Sequence, residues 1–311
     1  MTRFETPADI PVKPFLKWAG GKSQILEHIR RKYPKGLGIT ITKYAEPFIG
    51  GGAVLFDVLS QFKMEEVYIS DINRELIQTY ITLRDNVTEL ISYLINIESK
   101  YLSASSDVRK EIYYTVRDRF NVLKSADNAS IEIAALFIFL NRTCFNGLYR
   151  VNSHGAFNVP QGRYKNPAIC DEQNLFAVSE KLHGVTIACV DYRQSRNFID
   201  GNTFVYFDPP YRPLTATSNF TSYAENGFGD KEQIELAAYI NEISKCGASI
   251  VTSNSDPKNT DENDNFFDHL YAQQEITRIY ASRALNSVGS SRGKVSELLI
   301  ANTNYFTNVR V

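Results

Sequence analysis

Asp208-Pro209-Pro210-Tyr211 is the segment of the sequence whose residue types are best suited to chemistry. It directly follows the apolar run Phe204–Phe207, and two consecutive prolines at the end of a strand stop the hydrogen-bond ladder and fix the backbone. The carbonyl of Pro209 and the carboxylate of Asp208 would then present two acceptors to one spot. Such a site suits an aromatic amine, whose two N–H groups donate to the acceptors while its ring stacks on Tyr211. A strand-ending turn with a charged cap is the alternative.

The glycine-rich turn Phe48–Gly52 and the later acid Asp71 form a second candidate site. Glycine after a strand permits a tight turn and lets a ligand approach the backbone closely. An acidic side chain about twenty residues further on, after the next strand, commonly accepts hydrogen bonds from ribose hydroxyls. These residues alone indicate any nucleoside-containing cofactor, and a purely structural turn is an equal alternative.

The segment Trp18–Ser23 has some features of a phosphate-binding P-loop but lacks its spacing. That motif requires a further glycine where this chain has Leu16, and no suitable strand precedes it. Trp18 and Lys22, four residues apart, could instead pack on a cofactor and hold its carboxylate. They are equally compatible with a core tryptophan and a surface lysine.

The elements that must position these residues are predicted from alternating apolar patterns. The predicted strands are Tyr44–Pro47, Val67–Ser70, Val185–Val190, Phe204–Phe207, Ser249–Thr252, Glu275–Ala281 and Glu297–Ala301. The predicted helices between them are Ala53–Phe62, Asn73–Arg84, Glu172–Leu182 and Lys231–Lys245. This alternation predicts an α/β fold with a doubly wound, seven-stranded, mainly parallel sheet. The last two strands have no helix between them, which predicts an antiparallel pair at the edge.

Residues 76–170 interrupt this alternation and predict an inserted second domain. The insert contains two helical patterns, Val108–Leu123 and Ile131–Leu140, and then a hairpin-like stretch. In that stretch, Leu148–Val151 and Ala156–Val159 flank a four-residue turn that ends in Gly155. We therefore expect one domain formed by residues 1–75 and 171–311, and a smaller one formed by residues 76–170.

Composition and charge limit the class of protein. The chain has 311 residues, of which 43% are hydrophobic, so it can bury a sizeable core. The N-terminal segment has no apolar signal region, no run approaches membrane-spanning length, and the four cysteines show no paired spacing. These features predict a cytoplasmic protein with free thiols and no metal site. The net charge is −1, yet residues 141–170 and residues 276–296 each contain four basic residues and no acidic one. Such loops predict binding to a polyanion.

Taken together, the motifs resemble those of the DNA adenine methylase (Dam) family of N6-adenine-specific DNA methyltransferases and its restriction-modification relatives. The resemblance covers nearly the whole chain, and its six motifs occur in the family's order. They are FLKWAGGK (Phe15–Lys22), EPFIGGG (Glu46–Gly52), SDIN (Ser70–Asn73), the Asn141–Lys165 segment, DPPYRPLTATSNFTSY (Asp208–Tyr223) and RGKVSELL (Arg292–Leu299). Aspartate at the start of the DPPY motif, where some N4-cytosine enzymes have serine, favours adenine as the target.

The resemblance implies a cofactor, S-adenosylmethionine, and a reaction that uses no metal. The residues that would bind the cofactor are Trp18, Lys22, Phe48, Gly50, Gly52, Asp71, Asp191, Tyr192 and Asp208. The residues that would act in catalysis are Asp208, Pro209 and Tyr211. The target adenine would leave the helical stack, because its N6 cannot otherwise reach the cofactor methyl group, and the methyl group would then transfer in line without a covalent enzyme intermediate.

The resemblance also implies double-stranded DNA as the partner and Asn141–Lys165 as the specificity hairpin. Phe145 would wedge into the duplex beside Asn146, Arg150 would read a guanine, and Lys17 would make another base contact. The loop 284–294, including Arg292, would contact phosphates. The hairpin is most similar to that of relatives acting on GATC, which is therefore the expected target. A separate restriction endonuclease is an expected functional partner.

Three other classes of protein share parts of this pattern. An RNA or protein amine methyltransferase would use the same cofactor fold but would not need the basic hairpin. A DNA-binding module without activity would have no use for Asp208 and Tyr211. A nicotinamide oxidoreductase would use the glycine turn and Asp71, but the DPPY segment would have no role in it.

Overall fold

The computed structural model describes residues 12–126, 130–212, 228–282 and 294–302. Its strands are β1 (Lys43–Pro47), β2 (Glu66–Asp71), β3 (Thr186–Cys189), β4 (Thr203–Phe207), β5 (Ser249–Ser255), β6 (Glu275–Ser282) and β7 (Lys294–Ala301). Its helices are α1 (Leu26–Arg30), α2 (Ala53–Gln61), α3 (Arg74–Asp85), α4 (Val87–Ser103), α5 (Ser106–Ser125), α6 (Ile131–Thr143), α7 (Glu172–Leu182), α8 (Asp230–Ser244) and α9 (Phe266–Leu270). The predicted α/β fold is confirmed, and each predicted strand is present to within a few residues.

The strands form one seven-stranded sheet with the order β3-β2-β1-β4-β5-β7-β6. β1 pairs in parallel with β2 and β4, and β4 pairs in parallel with β5. β7 pairs antiparallel with both β5 and β6. The predicted antiparallel pair at the edge is therefore confirmed, with β7 lying between β5 and β6 and β6 forming the edge.

The chain forms two compact units, which divide it differently from the predicted domains. Unit 1 comprises Met1–Gly21, Gly50–Gln61 and Asp71–Val190, and unit 2 comprises Lys22–Ile49, Phe62–Ser70 and Asp191–Val311. The boundaries expected from the sequence, with an insert at residues 76–170, remain a prediction.

Unit 1 is built around α6, whose sequence IEIAALFIFLNRT is apolar on all sides and almost wholly buried. A helix without a polar face requires neighbours all around it, and α3, α4 and α5 supply them. The side chain of Ser130 accepts a hydrogen bond from the N–H of Ile133 and begins the helix. α4 was not predicted from the sequence. Where a hairpin was predicted, the described residues form isolated antiparallel bridges, Cys144 with Gln161 and Val151 with Phe157.

Unit 2 contains the fully buried strands β4 and β5. All five residues of β4, TFVYF, are buried, as expected for a central strand covered on both faces. All seven residues of β5, SIVTSNS, are buried as well, although its C-terminal end is polar. Buried polar side chains need hydrogen-bond partners. Two of the polar side chains of β5 have partners near the end of β4: Ser253 donates to Asp208, and Asn254 donates to Gln233.

Candidate functional site

Asp208 lies immediately after β4 and is fixed by a buried lysine and a buried serine. The Nζ of Lys22 lies 2.7 Å from Oδ1 of Asp208, and the side chains of Lys22 and Asp208 are 4% and 23% exposed. The hydroxyl of Ser253, on β5, donates to the same carboxylate oxygen at 2.9 Å. The hydroxyl of Tyr206 in turn donates to Ser253 at 3.0 Å. The orientation of the carboxylate is therefore determined by the protein.

The charge on Lys22 follows from this pairing. Burial by itself would lower the pKa of Lys22, but attraction to Asp208, with contributions from Tyr206 and Glu297, raises the pKa above its ordinary value. The ammonium group thus stays protonated although it is buried. Burial also raises the pKa of Tyr206 well above its usual range, so its hydroxyl remains a donor. The expected role of Lys22 in cofactor binding stays a prediction, and what the structure shows is the contact of its ammonium with Asp208.

Tyr211 is held at its ring and at its hydroxyl. The Nζ of Lys22 lies 4.9 Å from the centroid of its ring, and its hydroxyl donates to Oε2 of Glu297 on β7 at 3.0 Å. The backbone between Asp208 and Tyr211 is tied to α8, because Gln233 donates to the carbonyl of Pro210 at 3.1 Å. Lys22, Asp208 and Tyr211 are thus brought together in unit 2, with Pro209 buried between the last two.

Phe48 adopts a strained backbone conformation beside a group of aromatic rings in unit 2. Its φ of 103° is rare for any residue with a side chain, and such strain is found mostly at functional sites. The N–H groups of Phe48 and Ile49 both donate to the carbonyl of Ser70, which holds this conformation. The ring of Phe48 lies 5.3 Å from that of Tyr192, measured between centroids. The hydroxyl of Tyr192 is buried and has no hydrogen-bond partner among the described residues.

Asp191 is engaged with its own neighbourhood. Its carboxylate accepts from the N–H of Arg193 at 3.0 Å and so caps the short helix Tyr192–Asn197. The guanidinium of Arg193 contacts the same carboxylate at 3.2 Å.

In unit 1, the glycine turn, Asp71 and Trp18 lie together. The N–H of Gly50 donates to Asp71 at 3.3 Å, and that of Asn73 donates at 2.9 Å. Burial raises the pKa of Asp71 to about 6, and these backbone donors only partly oppose the shift. Gly50 has a φ of +46°, and a Cβ there would come within 2.7 Å of the Trp18 ring. The turn therefore requires glycine on both steric and conformational grounds.

Gly52 is constrained in a similar way by the core of unit 1. It has a φ of +71°, and a Cβ there would come within 2.7 Å of the hydroxyl of Tyr80. That hydroxyl donates to the carbonyl of Gly50 at 3.1 Å, which ties the turn to α3.

Lys17 packs on the turn that begins the predicted hairpin. Asn141 joins the two segments, since it accepts from the N–H of Lys17 at 2.8 Å and donates to the carbonyls of Lys17 and Gly147 at 2.7 and 3.1 Å. Asn146 and Gly147 have φ values of 55° and 63°, so the backbone reverses sharply. Phe145, just before them, is 51% exposed.

Arg150 lies on the exposed part of the hairpin and has one described side-chain partner. Its Nε donates to Oδ1 of Asn158 at 2.8 Å, and the N–H of Asn158 donates to the carbonyl of Arg150 at 3.1 Å. The residue as a whole is exposed. Arg292 and most of the predicted phosphate loop lie outside the described residues.

Several residues at these sites were not singled out from the sequence. Ser253, Glu297 and Gln233 contact the DPPY segment in unit 2. In unit 1, the ring of Tyr149 stacks on that of Trp18 at 6.4 Å and 22°, while its hydroxyl donates to Glu75 at 2.6 Å. Glu297 lies in the quoted motif RGKVSELL, but no local pattern indicates what its side chain contacts.

Two further properties concern the described part of the chain. None of its helices is both long and apolar enough to cross a membrane. Within the same residues there is no group of three or more His, Cys, Asp or Glu side chains that could hold a metal ion.

Comparisons with known proteins identify the family. The model of the D12 class N6 adenine-specific DNA methyltransferases matches residues 18–285. A Type II methyltransferase of Methanocaldococcus jannaschii is 48% identical, covering 94% of this chain and 99% of that protein. A Type II methyltransferase of Lactococcus lactis subsp. cremoris is 37% identical, covering 94% and 96%. A DNA adenine methylase of Vibrio cholerae is 36% identical, covering 92% and 95%. The chain belongs to the D12 class of N6 adenine-specific DNA methyltransferases and is an adenine-specific DNA methyltransferase.

Proposed function

We propose that this enzyme transfers the methyl group of S-adenosylmethionine to N6 of the adenine in GATC within duplex DNA. The observation that carries the proposal is the arrangement of Lys22, Asp208 and Tyr211 after β4, because it presents a fixed carboxylate and an aromatic ring to a ligand. When bound, S-adenosylmethionine supplies an electrophilic methyl group on a sulfonium ion.

The residues assigned to the cofactor have the chemistry that its parts require. We assign the ribose hydroxyls to the carboxylate of Asp71, close to the glycine turn Gly50–Gly52 and the indole of Trp18. We assign the adenine ring to Phe48 and Tyr192, with Asp191 beside them. The buried hydroxyl of Tyr192, which lacks a described partner, supports this assignment because a ligand nitrogen would satisfy it. We assign Lys22 to the cofactor as well, beside the Asp208 carboxylate that its ammonium contacts.

The residues assigned to the target base suit an adenine that has left the duplex. The N6 amino group has two N–H donors, and we assign them to the carboxylate of Asp208 and the carbonyl of Pro209. As the nitrogen attacks, positive charge develops on it, and a carboxylate held in place stabilises that charge without having to reorient. The ring of Tyr211 replaces the stacking lost from the helix, a contribution of about 1–3 kcal/mol.

Target selection is assigned to the hairpin of unit 1. Arg150 would donate from its two terminal nitrogens to O6 and N7 of a guanine, since its Nε is already used by Asn158. The exposed ring of Phe145 would enter the base stack beside Asn146, and Lys17, which lies against Gly147, would make a further base contact. Arg292 would contact phosphate. Relatives named DNA adenine methylase support GATC, and the alternative is the same chemistry at another adenine-containing site.

The biological setting follows from the substrate and the relatives. Because the substrate is DNA, we place the enzyme in the cytoplasm, associated with the nucleoid. Relatives named Type II methyltransferase support a role beside a separate restriction endonuclease.

Two experiments test these assignments separately. Calorimetric titration with S-adenosylmethionine, with NAD as the matched control, should show binding of the first alone; no binding of S-adenosylmethionine would refute the cofactor. Labelled methyl transfer should then be measured on a GATC duplex, on duplexes with single substitutions, and on the same duplex already methylated at N6. Incorporation only into unmethylated GATC is expected. Transfer to a different adenine motif would refute the target and leave the chemistry standing.

A further inference from the structure

We propose that Glu297 is a positioning residue that anchors the ring of Tyr211 and so fixes the surface on which the target adenine stacks. The inference rests on the proposed role of Tyr211 in the reaction. Glu297 lies on β7, far in sequence from the DPPY motif.

The contact between the two residues joins a constrained loop to a constrained strand. The hydroxyl of Tyr211 donates to Oε2 of Glu297 at 3.0 Å, and both side chains are half-buried. β7 is paired on both sides, with Glu297 opposite Ser255 of β5 and Ile279 of β6. The backbone that carries the carboxylate therefore cannot move independently of the sheet.

The ring of Tyr211 needs such an anchor because the preceding prolines do not restrict its side chain. Pro209 and Pro210 fix the backbone that leads to it, and Gln233 holds the carbonyl of Pro210. Rotation about the two side-chain torsions of Tyr211 remains, and only contacts at the ring or its hydroxyl can restrict them. Lys22, 4.9 Å from the ring centroid, restrains one position, and Glu297 restrains the far end.

The hydroxyl on the ring of Tyr211 also supports an anchoring role for Glu297. A phenylalanine would offer an equivalent face for stacking, so the hydroxyl is not needed for the stacking itself. It is needed to reach the carboxylate of Glu297. The carboxylate also contributes to the raised pKa of Lys22, which places Glu297 within electrostatic range of the Lys22–Asp208 pair.

A double-mutant cycle tests the inference. The variants are Tyr211→Phe, Glu297→Ala and the two combined, assayed for kcat and for KM of cofactor and DNA. A hydrogen bond to a charged group corresponds to about a tenfold or larger effect, so each single variant should lose roughly tenfold in kcat with KM for the cofactor unchanged. The double variant should be no worse than either single one, because both remove the same contact.

A spectroscopic readout and matched controls separate positioning from general damage. With 2-aminopurine at the target position, the Tyr211→Phe and Glu297→Ala complexes should show the same altered fluorescence, and Glu297→Gln, which keeps an acceptor, should recover part of it. Glu275→Ala and Tyr280→Phe, on the neighbouring β6, should leave both readouts unchanged.

The possible outcomes distinguish this inference from the proposed function. Multiplicative losses in the double variant, or a normal kcat for Tyr211→Phe, would overturn the role of Glu297. If Tyr211→Ala also had normal kcat and fluorescence, the stacking role of Tyr211 itself would be wrong. Should Glu297→Ala fail to fold, Tyr211→Phe and Glu297→Gln give the same comparison, since each changes only the contact.

Discussion

The DPPY segment of unit 2 and the hairpin of unit 1 differ in how much of their geometry the protein itself supplies. Asp208 has two donors on one oxygen, and one of them, Lys22, is 4% exposed. In the hairpin, Phe145 is 51% exposed and Arg150 has one described side-chain partner, Asn158. The groups assigned to chemistry are therefore oriented in advance, which lowers the reorganisation required during the reaction. The groups assigned to recognition would acquire most of their partners from DNA.

The largest expected effect concerns Asp208, whose carboxylate the protein orients in advance. Asp208→Asn should lower kcat by about 10³-fold, the upper range for removing one preorganised electrostatic group. It should also destabilise the fold by roughly 3–5 kcal/mol, because Lys22 loses the carboxylate that it contacts in a buried position. Denaturant unfolding and single-turnover rates measure the two effects.

A compensating variant provides the control for that prediction. Lys22→Met combined with Asp208→Asn should recover much of the lost stability without recovering activity. Near wild-type turnover in the single Asp208→Asn variant would show that the catalytic group is assigned wrongly.

The next effect concerns the cofactor. Asp71→Ala should weaken binding of S-adenosylmethionine by about 1.5–3 kcal/mol, the usual loss for hydrogen bonds to a charged group. Asp85→Ala is a suitable control, because Asp85 is an exposed acid paired with Arg84. Calorimetry that found equal affinity for both variants would mean that the ribose is held by other residues.

The third effect tests the recognition side. Arg150→Ala should cost about 1–3 kcal/mol of discrimination at one guanine position, with little loss on non-specific DNA. Asn158→Ala should give a smaller loss at the same position, because it removes only the support of the guanidinium. Arg292→Ala should weaken binding to every sequence and reduce its salt dependence. The test uses GATC duplexes with single substitutions. If the Arg150 and Arg292 variants lost specificity equally, the assignment of Arg150 to a base and Arg292 to phosphate would be wrong.

The smallest effect is a pH dependence of cofactor binding. Burial raises the pKa of Asp71 to about 6, and only the ionised form accepts hydrogen bonds fully. Affinity for S-adenosylmethionine should therefore fall as pH drops through 6, approaching about tenfold per pH unit below that value.

The same pKa shift makes the fold more stable as pH falls, whereas it makes cofactor binding weaker. The two effects of pH can therefore be told apart. The folded state binds this proton more tightly than the unfolded chain, in which the pKa of aspartate is about 4. As pH falls from 6 to 4, this group therefore adds to the stability of the fold. Weaker binding in that window cannot then be attributed to unfolding through Asp71. Asp71→Asn should remove this dependence on pH. If the affinity of the wild-type enzyme did not change between pH 7 and pH 5, the prediction would be wrong.

Local periodicity was sufficient for the elements but not for their arrangement. Seven strands were predicted because each is a short apolar run with turn residues beside it. α4 was not predicted as a separate helix, although its buried residues Leu90, Ile91 and Leu94 have the spacing of one helix face. The position of β7 between β5 and β6 could not be predicted, since a chain pattern does not encode which edge a strand joins.

The candidate sites show the same limit. The residue types of the DPPY segment, the glycine turn and the hairpin are chemically distinctive in sequence, so they could be singled out. The contacts that orient them join residues far apart in the chain, as Lys22 does with Asp208 and Tyr211 does with Glu297. A serine such as Ser253 inside a strand gives no local sign that it donates to a carboxylate.

The insertion of β7 between β5 and β6 has a consequence for synthesis on the ribosome. A nascent chain that has emerged only as far as β6 cannot complete the sheet, because β5 still presents an open edge. In the finished protein β5 is buried along its whole length, so that edge exposes both apolar side chains and unpaired backbone groups. Translation that stops before β7 should therefore yield an aggregating fragment that also lacks Glu297. Such a fragment would not act as a partly active methyltransferase, and DNA would be modified only by chains whose sheet is complete.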